Sequence, residues 1–507
     1  MSTDTSERDI EKPVEGRRVI SGIGWSFFAV LGEQMSTLVA FVIIARILGP
    51  AEFGIVVLAV ALIDILVTFV RAGISEALIR IDDLTPEVVG TGFWVNMLIA
   101  CTLGGGLYLL APEVGELFDS PQTVPLMQAM TVVFPIAAMG SIAEGLLSRR
   151  MAFAAIARRQ IIGSICGAMV SIALALNGYG LWAMIGQRII IFFVGTALAI
   201  WAAKFIPPMQ FSIKAAKKLL FFGGGITSIN VIYRLQPRAA ELVIGFLAQP
   251  VAVALYRAAY RVVDLVNQLP MQPLMRVTFP TLSRLVSKPE DFRAVLLRFM
   301  EGLQIVLLPI YAGIGYFSAD IFHALFGTKW DGAVTAFTLL LVAAGFRVTF
   351  ILLGPATSAR GSVHVTAAFS ALDVALSILL MIVSAPYGIN AVAGSRIAGA
   401  IVLLPFAYFM LLRPAGLSLL ELLKSLIAPI SIMLGLVIAL KAIDYFLLNL
   451  LERQLNLVIG IPICGILYFA LVITLAPRQL RNLLDVLDNS MTRKLINLGV
   501  RAKVFTR

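Results

Sequence analysis

The chain is poor in everything that a soluble enzyme of its length would carry. Only 14% of its residues are charged, against about 25% in soluble domains. It has two histidines, His323 and His364. Its three cysteines, Cys101, Cys166 and Cys464, lie far apart inside apolar segments. That scatter argues against a disulfide framework or a Cys/His metal site, and these residues read as small buried side chains. No glycine-rich phosphate loop and no Ser/His/Asp set stands out. The opening stretch, MSTDTSERDIEKPVEGRRVIS, lacks the order of a secretory signal and reads as a retained cytoplasmic tail. Polar stretches are short from residue 20 to residue 476, which leaves no room for a large soluble domain.

What the chain does have is oil. Hydrophobic residues make up 59% of its 507 positions, and mean hydropathy is +0.94. Crossing a hydrocarbon core takes roughly 20 apolar residues per helix. Windows of that size predict fourteen spans: 22–46, 52–74, 88–111, 124–147, 158–177, 180–203, 219–248, 251–276, 299–318, 333–355, 363–385, 388–411, 425–448 and 455–476. Their continuous apolarity excludes barrel strands, which alternate at every second residue. The expected fold class is an all-α polytopic membrane protein.

Lys and Arg in the connections set the orientation. With the N-terminus inside, 28 of the 40 basic residues fall on the cytoplasmic side, Arg71, Arg149, Arg150 and Arg159 among them. The opposite face holds Lys329 and Arg453, with Lys441 nearby. This asymmetry accounts for the net charge of +11 without nucleic acid, which is not an expected partner. Membrane lipids are. Both termini are then cytoplasmic. Beyond the last span, Leu480, Leu483, Leu484, Leu487, Met491 and Leu495 recur at helical spacing among basic residues. The pattern fits an amphipathic helix on the membrane surface; a partner-binding helix is the alternative.

A short repeat divides the chain. YGLWAMIGQR at 179–188 returns as YGINAVAGSR at 387–396, and LGP at 48–50 has a weaker echo in LAQP at 247–250. Six spans separate the copies, so the repeat is parallel, a plan common among transporters. The expected layout is a tail at 1–20, a six-helix bundle at 21–203, a cytoplasmic linker at 204–218 and a second six-helix bundle at 219–411. Two extra helices at 412–476 and a basic amphipathic tail at 477–507 complete it.

Nine arginines remain inside predicted spans: Arg46, Arg188, Arg234, Arg238, Arg257, Arg261, Arg276, Arg347 and Arg396. Each costs a few kcal/mol or more at the bilayer centre unless it faces water or a partner. Arg46 and Arg276 lie near span ends, where snorkelling relieves the cost. Arg188 and Arg396 are the two repeat copies, for which interhelical bonding is an equal reading. The stretch VIYRLQPRAAELVIGFLAQPVAVALYRAAYRVVDL holds four more. If Gln249 and Pro250 turn a hairpin, Arg257, Arg261, Arg238 and Arg234 lie about 10, 16, 18 and 24 Å below that turn, at 1.5 Å per residue. Arg257 and Arg261 share one helix face, as do Arg234 and Arg238. Pro237 is expected to interrupt its helix, and Gly223, Gly224 and Gly225 to let it bend. Arginine stays charged when desolvated and grips phosphate with two parallel donors. The alternative is internal pairing with the membrane acids Glu33, Asp64, Glu144, Glu241, Asp264 and Asp373. Glu241 follows Arg238 by three, and Asp264 follows Arg261 by three.

Five stretches carry a resemblance: GIGW at 22–25, ARILGPAEFG at 45–54, LYRAAYRVVDLVNQLP at 255–270, RVTFPTLSRL at 276–285 and LFGTKWDGA at 325–333. With them the chain resembles the polysaccharide-transport (Wzx-type) flippases of the multidrug/oligosaccharidyl-lipid/polysaccharide exporter superfamily. The resemblance implies two six-helix bundles around a central cavity, two further helices, alternating access, and no enzymatic activity. It implies a cargo of undecaprenyl-pyrophosphate-linked oligosaccharide, moved across the bacterial cytoplasmic membrane for exopolysaccharide or O-antigen synthesis. Spans 1, 2, 7 and 8 would line the cavity, which makes Arg46, Arg234, Arg238, Arg257 and Arg261 the substrate-binding candidates. Glu33, Asp64 and Asp264 are the candidates for coupling to a proton or sodium gradient; no other cofactor is expected. A glycan polymerase is an expected partner. Other functions compete: a cation-coupled multidrug exporter of the same superfamily, a membrane glycan polymerase or ligase, and a non-enzymatic lipid scaffold or channel, which is least able to explain the repeat. Drug exporters of that superfamily typically have twelve spans and fewer central arginines. Polymerases typically carry a large catalytic outer loop, whereas the connections near 112–123 and 319–332 hold no paired carboxylates.

Overall fold

The computed structural model describes the backbone of residues 16–81, 83–446 and 453–477. Side chains are described over the same residues except 16–30, 72, 80, 222, 224–237, 272, 273, 276, 277, 446 and 453–455. The amphipathic pattern expected at 480–495 lies outside the described residues. The chain folds as an all-α polytopic membrane protein, with no strand among the described residues. Sixteen α-helices follow in order: α1 Gly16–Arg80, α2 Pro86–Leu117, α3 Thr123–Met130, α4 Val133–Arg149, α5 Phe153–Leu176, α6 Trp182–Ala203, α7 Ile213–Leu247 and α8 Pro250–Arg284. Then come α9 Pro289–Tyr316, α10 Ser318–Phe326, α11 Val334–Val348, α12 Leu353–Ala359, α13 Val363–Ser384, α14 Ile389–Ala407, α15 Leu419–Phe446 and α16 Arg453–Leu475.

Eleven helical stretches among the described residues are long and apolar enough to cross a membrane. One of them, Leu31–Ile79, holds the second expected span, 52–74, and the larger part of the first, 22–46. The expected spans 219–248 and 251–276 fall on α7 and α8, which are not among the eleven. Within α1 the break sits at Gly49, whose φ of 77° only glycine adopts freely. Pro50 follows it and offers no amide to the preceding turn. The echo at LAQP builds the corresponding turn: α7 ends at Leu247, Gln249 is extended, and Pro250 is the first residue of α8. Between these points α7 runs as one helix through Gly223–Gly225 and Pro237. Gly223 serves a close approach: a Cβ there would lie 2.8 Å from the Gly73 carbonyl.

The chain forms two compact units. One comprises residues 1–47 and 62–231, the other residues 48–61 and 232–507. The core of the first gathers Ile74, Leu78, Phe93, Ile142, Leu146 and Leu219. Small residues let its helices close up, as membrane helices require where no hydrophobic force separates them from lipid. On α5, a Cβ at Gly167 would meet the Gln187 carbonyl of α6 at 2.9 Å. Asn96 of α2, 1% exposed, donates to Ser141 Oγ of α4 at 2.8 Å.

In the second unit, stretches far apart in sequence meet. Phe53 stands edge-on to Trp330, with ring centroids 5.5 Å apart. Gly54 packs on the Pro250 backbone so closely that any Cβ would collide with it. A Cβ at Gly332 would lie 3.2 Å from Leu255 Cδ1. ARILGPAEFG, the start of α8 and LFGTKWDGA are therefore parts of one packed region. The YG repeat also has a backbone basis. Gly180 and Gly388 occupy matching places and both have positive φ, 52° and 89°, just ahead of α6 and α14.

Candidate functional site

The hairpin of α7 and α8 brings together Arg238, Glu241 and Arg257. Arg238 and Glu241 are three apart on α7, so their side chains meet on one face. Arg238 Nη1 lies 3.1 and 3.0 Å from the two carboxylate oxygens of Glu241. Arg257, crossing from α8, donates to Glu241 Oε1 at 2.7 Å. The carboxylate is 1% exposed, the arginines 18% and 19%. Local pairing thus takes part of the charge that a free ladder of four would present. Two guanidiniums on one carboxylate still leave the three groups one net unit positive. Tyr256 and Tyr260 stack one turn apart on α8, centroids 6.2 Å apart, beside this cluster.

The other candidates are placed as follows. Arg261 and Asp264 are half-buried, and Gln268 Nε2 donates to Asp264 at 2.7 Å. Arg46 is exposed and belongs to the first unit. Arg234 and Arg276 lie outside the described side chains. Asp64 forms an ion pair with Arg188. Arg347 pairs with Asp373 at 2.8 Å, beside a cavity of about 310 Å³ in the second unit. Arg396, the repeat mate of Arg188, has a buried Nη1 with no hydrogen bond among the described residues. The two copies have thus kept the arginine and changed its surroundings.

Glu33 lies on a separate cavity in the first unit, of about 150 Å³, which is also lined by Arg71, Glu144, Arg159, Gln160 and Arg188. Glu144 pairs with Arg71 at 3.1 Å and with Arg159. By loop-charge counting Arg71 and Arg159 are expected among the cytoplasmic charges; the structure instead puts both on Glu144. A usable signal was their position, each a turn inside an apolar run, with Glu144 as a membrane acid of opposite sign. Both units therefore hold a glutamate gripped by two arginines from different helices. No group of three or more metal-ligating side chains is present among the described residues.

The sequence profile of the polysaccharide biosynthesis protein family matches residues 43–335. The chain belongs to this family. Among relatives, the succinoglycan biosynthesis transport protein ExoT of Rhizobium meliloti (strain 1021) is 27% identical over 332 residues, 66% of this chain and 67% of that one. The lipopolysaccharide biosynthesis protein WzxC of Escherichia coli (strain K12) is 22% identical over 415 residues, 78% of this chain and 81% of that one. Among solved structures, the lipid II flippase MurJ in an inward closed conformation superposes with a TM-score of 0.73 at 14% identity, covering 89% of this chain and 98% of that one. An inward-facing multidrug resistance MATE family transporter of the MOP superfamily gives 0.62 at 15% identity, covering 76% and 95%. At these identities the structural likeness concerns the fold. The family member described here is a multi-pass membrane transport protein of polysaccharide biosynthesis, as the resemblance in its sequence implied.

Proposed function

We propose that the chain is a flippase for an undecaprenyl-pyrophosphate-linked oligosaccharide repeat unit. It moves this cargo by alternating access from the inner to the outer leaflet of the bacterial cytoplasmic membrane, with both termini in the cytoplasm. Residues 21–203 and 219–411 are its two six-helix bundles, and 412–476 its two extra helices. Family membership and the fold shared with a lipid II flippase support the class of cargo.

The observation that carries the reading is the arrangement of Arg238, Glu241 and Arg257. A pyrophosphate entering an apolar environment needs donors that remain charged there, and arginine supplies them as a fork. Glu241 fixes the two guanidiniums before the cargo arrives, so less side-chain entropy is lost on binding. Arg234 and Arg261, on the same two helices, add to the cluster's positive charge in this proposal, and Arg46 plays at most a minor part. Glu33, Asp64 and Asp264 couple the cycle to a proton or sodium gradient, and a glycan polymerase receives the product. The test is the purified chain in vesicles, with a lipid-linked oligosaccharide followed between leaflets. Translocation that depends on the chain and falls in Arg238→Gln supports the proposal. Equal leaflet exchange with and without the chain refutes it.

A further inference from the structure

The connection from α6 to α7 has its polarity turned inside out. Residues 204–212 belong to the expected cytoplasmic linker and lie outside the apolar stretches that can cross a membrane among the described residues. A connection bathed in water would hide its apolar side chains and show its polar atoms. Here the polar atoms are used inward. The Pro208 carbonyl accepts from Trp94 Nε1 of α2 at 3.1 Å, and the Ser212 amide donates to Thr91 Oγ1 at 2.9 Å. A Cβ at Gly90 of α2 would lie 2.5 Å from the Gln210 carbonyl, so the connection is pressed onto that helix. Pro207 and Pro208 stiffen it by fixing φ. Outward stand Ile206, Met209, Phe211 and Ile213, between 55% and 84% exposed. Apolar side chains grouped on an ordered surface mark a contact with protein or membrane.

The charge beside them selects the membrane. Lys204, Lys214, Lys217 and Lys218 are all exposed, and the sequence has no Asp or Glu from 145 to 240. Arg150 reaches the same end of the unit, where its Nη1 donates to the Ala203 carbonyl at 3.0 Å. The connection before α2 and its first turn bring the acids Asp82, Asp83 and Glu87, which still leaves the cations in excess. A two-fold contact with a second copy would set these lysines against themselves, because it places the same patch on both sides. An anionic leaflet suits both features: its headgroups take the lysines, and apolar side chains enter the boundary beneath them. We propose that residues 204–218 are an anchor for anionic phospholipid of the cytoplasmic leaflet. The four lysines hold its phosphodiester headgroups, and Ile206, Met209, Phe211 and Ile213 sink among its acyl chains. The anchor is separate from the Arg238–Glu241–Arg257 cluster and uses no part of the cargo reading. It makes the start of α7 sensitive to the charge of the surrounding lipid.

Hydrogen exchange on the full chain in lipid nanodiscs tests this, with discs of phosphatidylcholine alone or of an equal mixture with phosphatidylglycerol. The proposal predicts that amides of residues 205–218 exchange at least about tenfold more slowly in the mixed discs, given about fivefold per lysine near an anionic surface. High salt should erase the difference, because exposed charges are screened. Lys204→Gln/Lys214→Gln/Lys217→Gln/Lys218→Gln should exchange alike in both discs. Lys288→Gln/Lys424→Gln removes exposed lysines of the second unit and should keep the wild-type difference. Met209→Ser/Phe211→Ser keeps every charge and should exchange faster than the wild type in both discs. Equal wild-type rates in the two discs would overturn the proposal. So would a difference that survives high salt or loss of the four lysines, one lost equally in the second-unit control, or unchanged rates in the serine variant. In detergent, protection that grows with protein concentration would give the surface to a second copy and overturn it as well.

Discussion

Arg238 and Arg257 reach the same carboxylate, that of Glu241, from two different helices. The acid is 1% exposed and the arginines are mostly buried. Removing its charge sets two guanidiniums against each other in a low-dielectric environment. Loss of one partner from a buried pair costs about 3–5 kcal/mol. Glu241→Gln should therefore lower the thermal midpoint of the purified protein by several degrees. An unchanged midpoint would mean that the carboxylate does not hold the hairpin together.

The arginines themselves should separate stability from transport. Arg238→Gln and Arg257→Gln each remove a charge-assisted donor worth about 1.5–3 kcal/mol, so translocation should fall roughly tenfold to a hundredfold. Membrane levels, read by immunoblot, should stay near normal because Glu241 keeps its other arginine. Arg46 is exposed, and Arg46→Gln should keep at least about half of the activity, as surface charges contribute little.

Gly54 tests the packed region where three distant stretches converge. Its missing Cβ is replaced by the Pro250 backbone, so Gly54→Ala forces two helices apart at a cost of about 1–3 kcal/mol. A matched control is Gly105 of α2, where a Cβ meets nothing within 4 Å. Gly105→Ala should be neutral or stabilising by up to about 1 kcal/mol, since alanine is the better helix former. Equal melting curves for the two variants would contradict this account of ARILGPAEFG.

Arg347 and Asp373 form a pair between α11 and α13 at 2.8 Å. Groups in direct contact couple by about 0.5–3 kcal/mol in a double-mutant cycle. The destabilisations of Arg347→Gln and Asp373→Asn, measured by thermal melting, should therefore add to more than that of the double variant. Strict additivity would leave the pair without energetic content.

Much of the fold was legible because the bilayer enforces a simple rule: backbone polar groups must be satisfied within each helix. Apolar run length located the helices, and Gly49-Pro50 and Gln249-Pro250 marked where they turn. Helical spacing also put Arg238 beside Glu241 and Arg257 beside Arg261. What it could not give was the contact between α7 and α8. Arg257 and Glu241 are sixteen residues apart, and only the packed hairpin shows that they pair. Counting loop charges treats every such residue as a sign of orientation, and that count hid Arg71 and Arg159, which pair with Glu144. Periodicity also could not show that Phe53 meets Trp330 or that Gly54 meets Pro250, since both depend on tertiary packing.

The central claim is that the chain carries a lipid-linked oligosaccharide across the membrane by its α7–α8 arginines. The direct measurement is leaflet-to-leaflet transfer in vesicles of purified wild-type protein and of Arg238→Gln/Arg257→Gln/Arg261→Gln, with a proton or sodium gradient on or off. The account predicts protein-dependent transfer by the wild type and near-background transfer by a triple variant that remains folded in the vesicle. Transfer by the folded triple variant at the wild-type rate would contradict it.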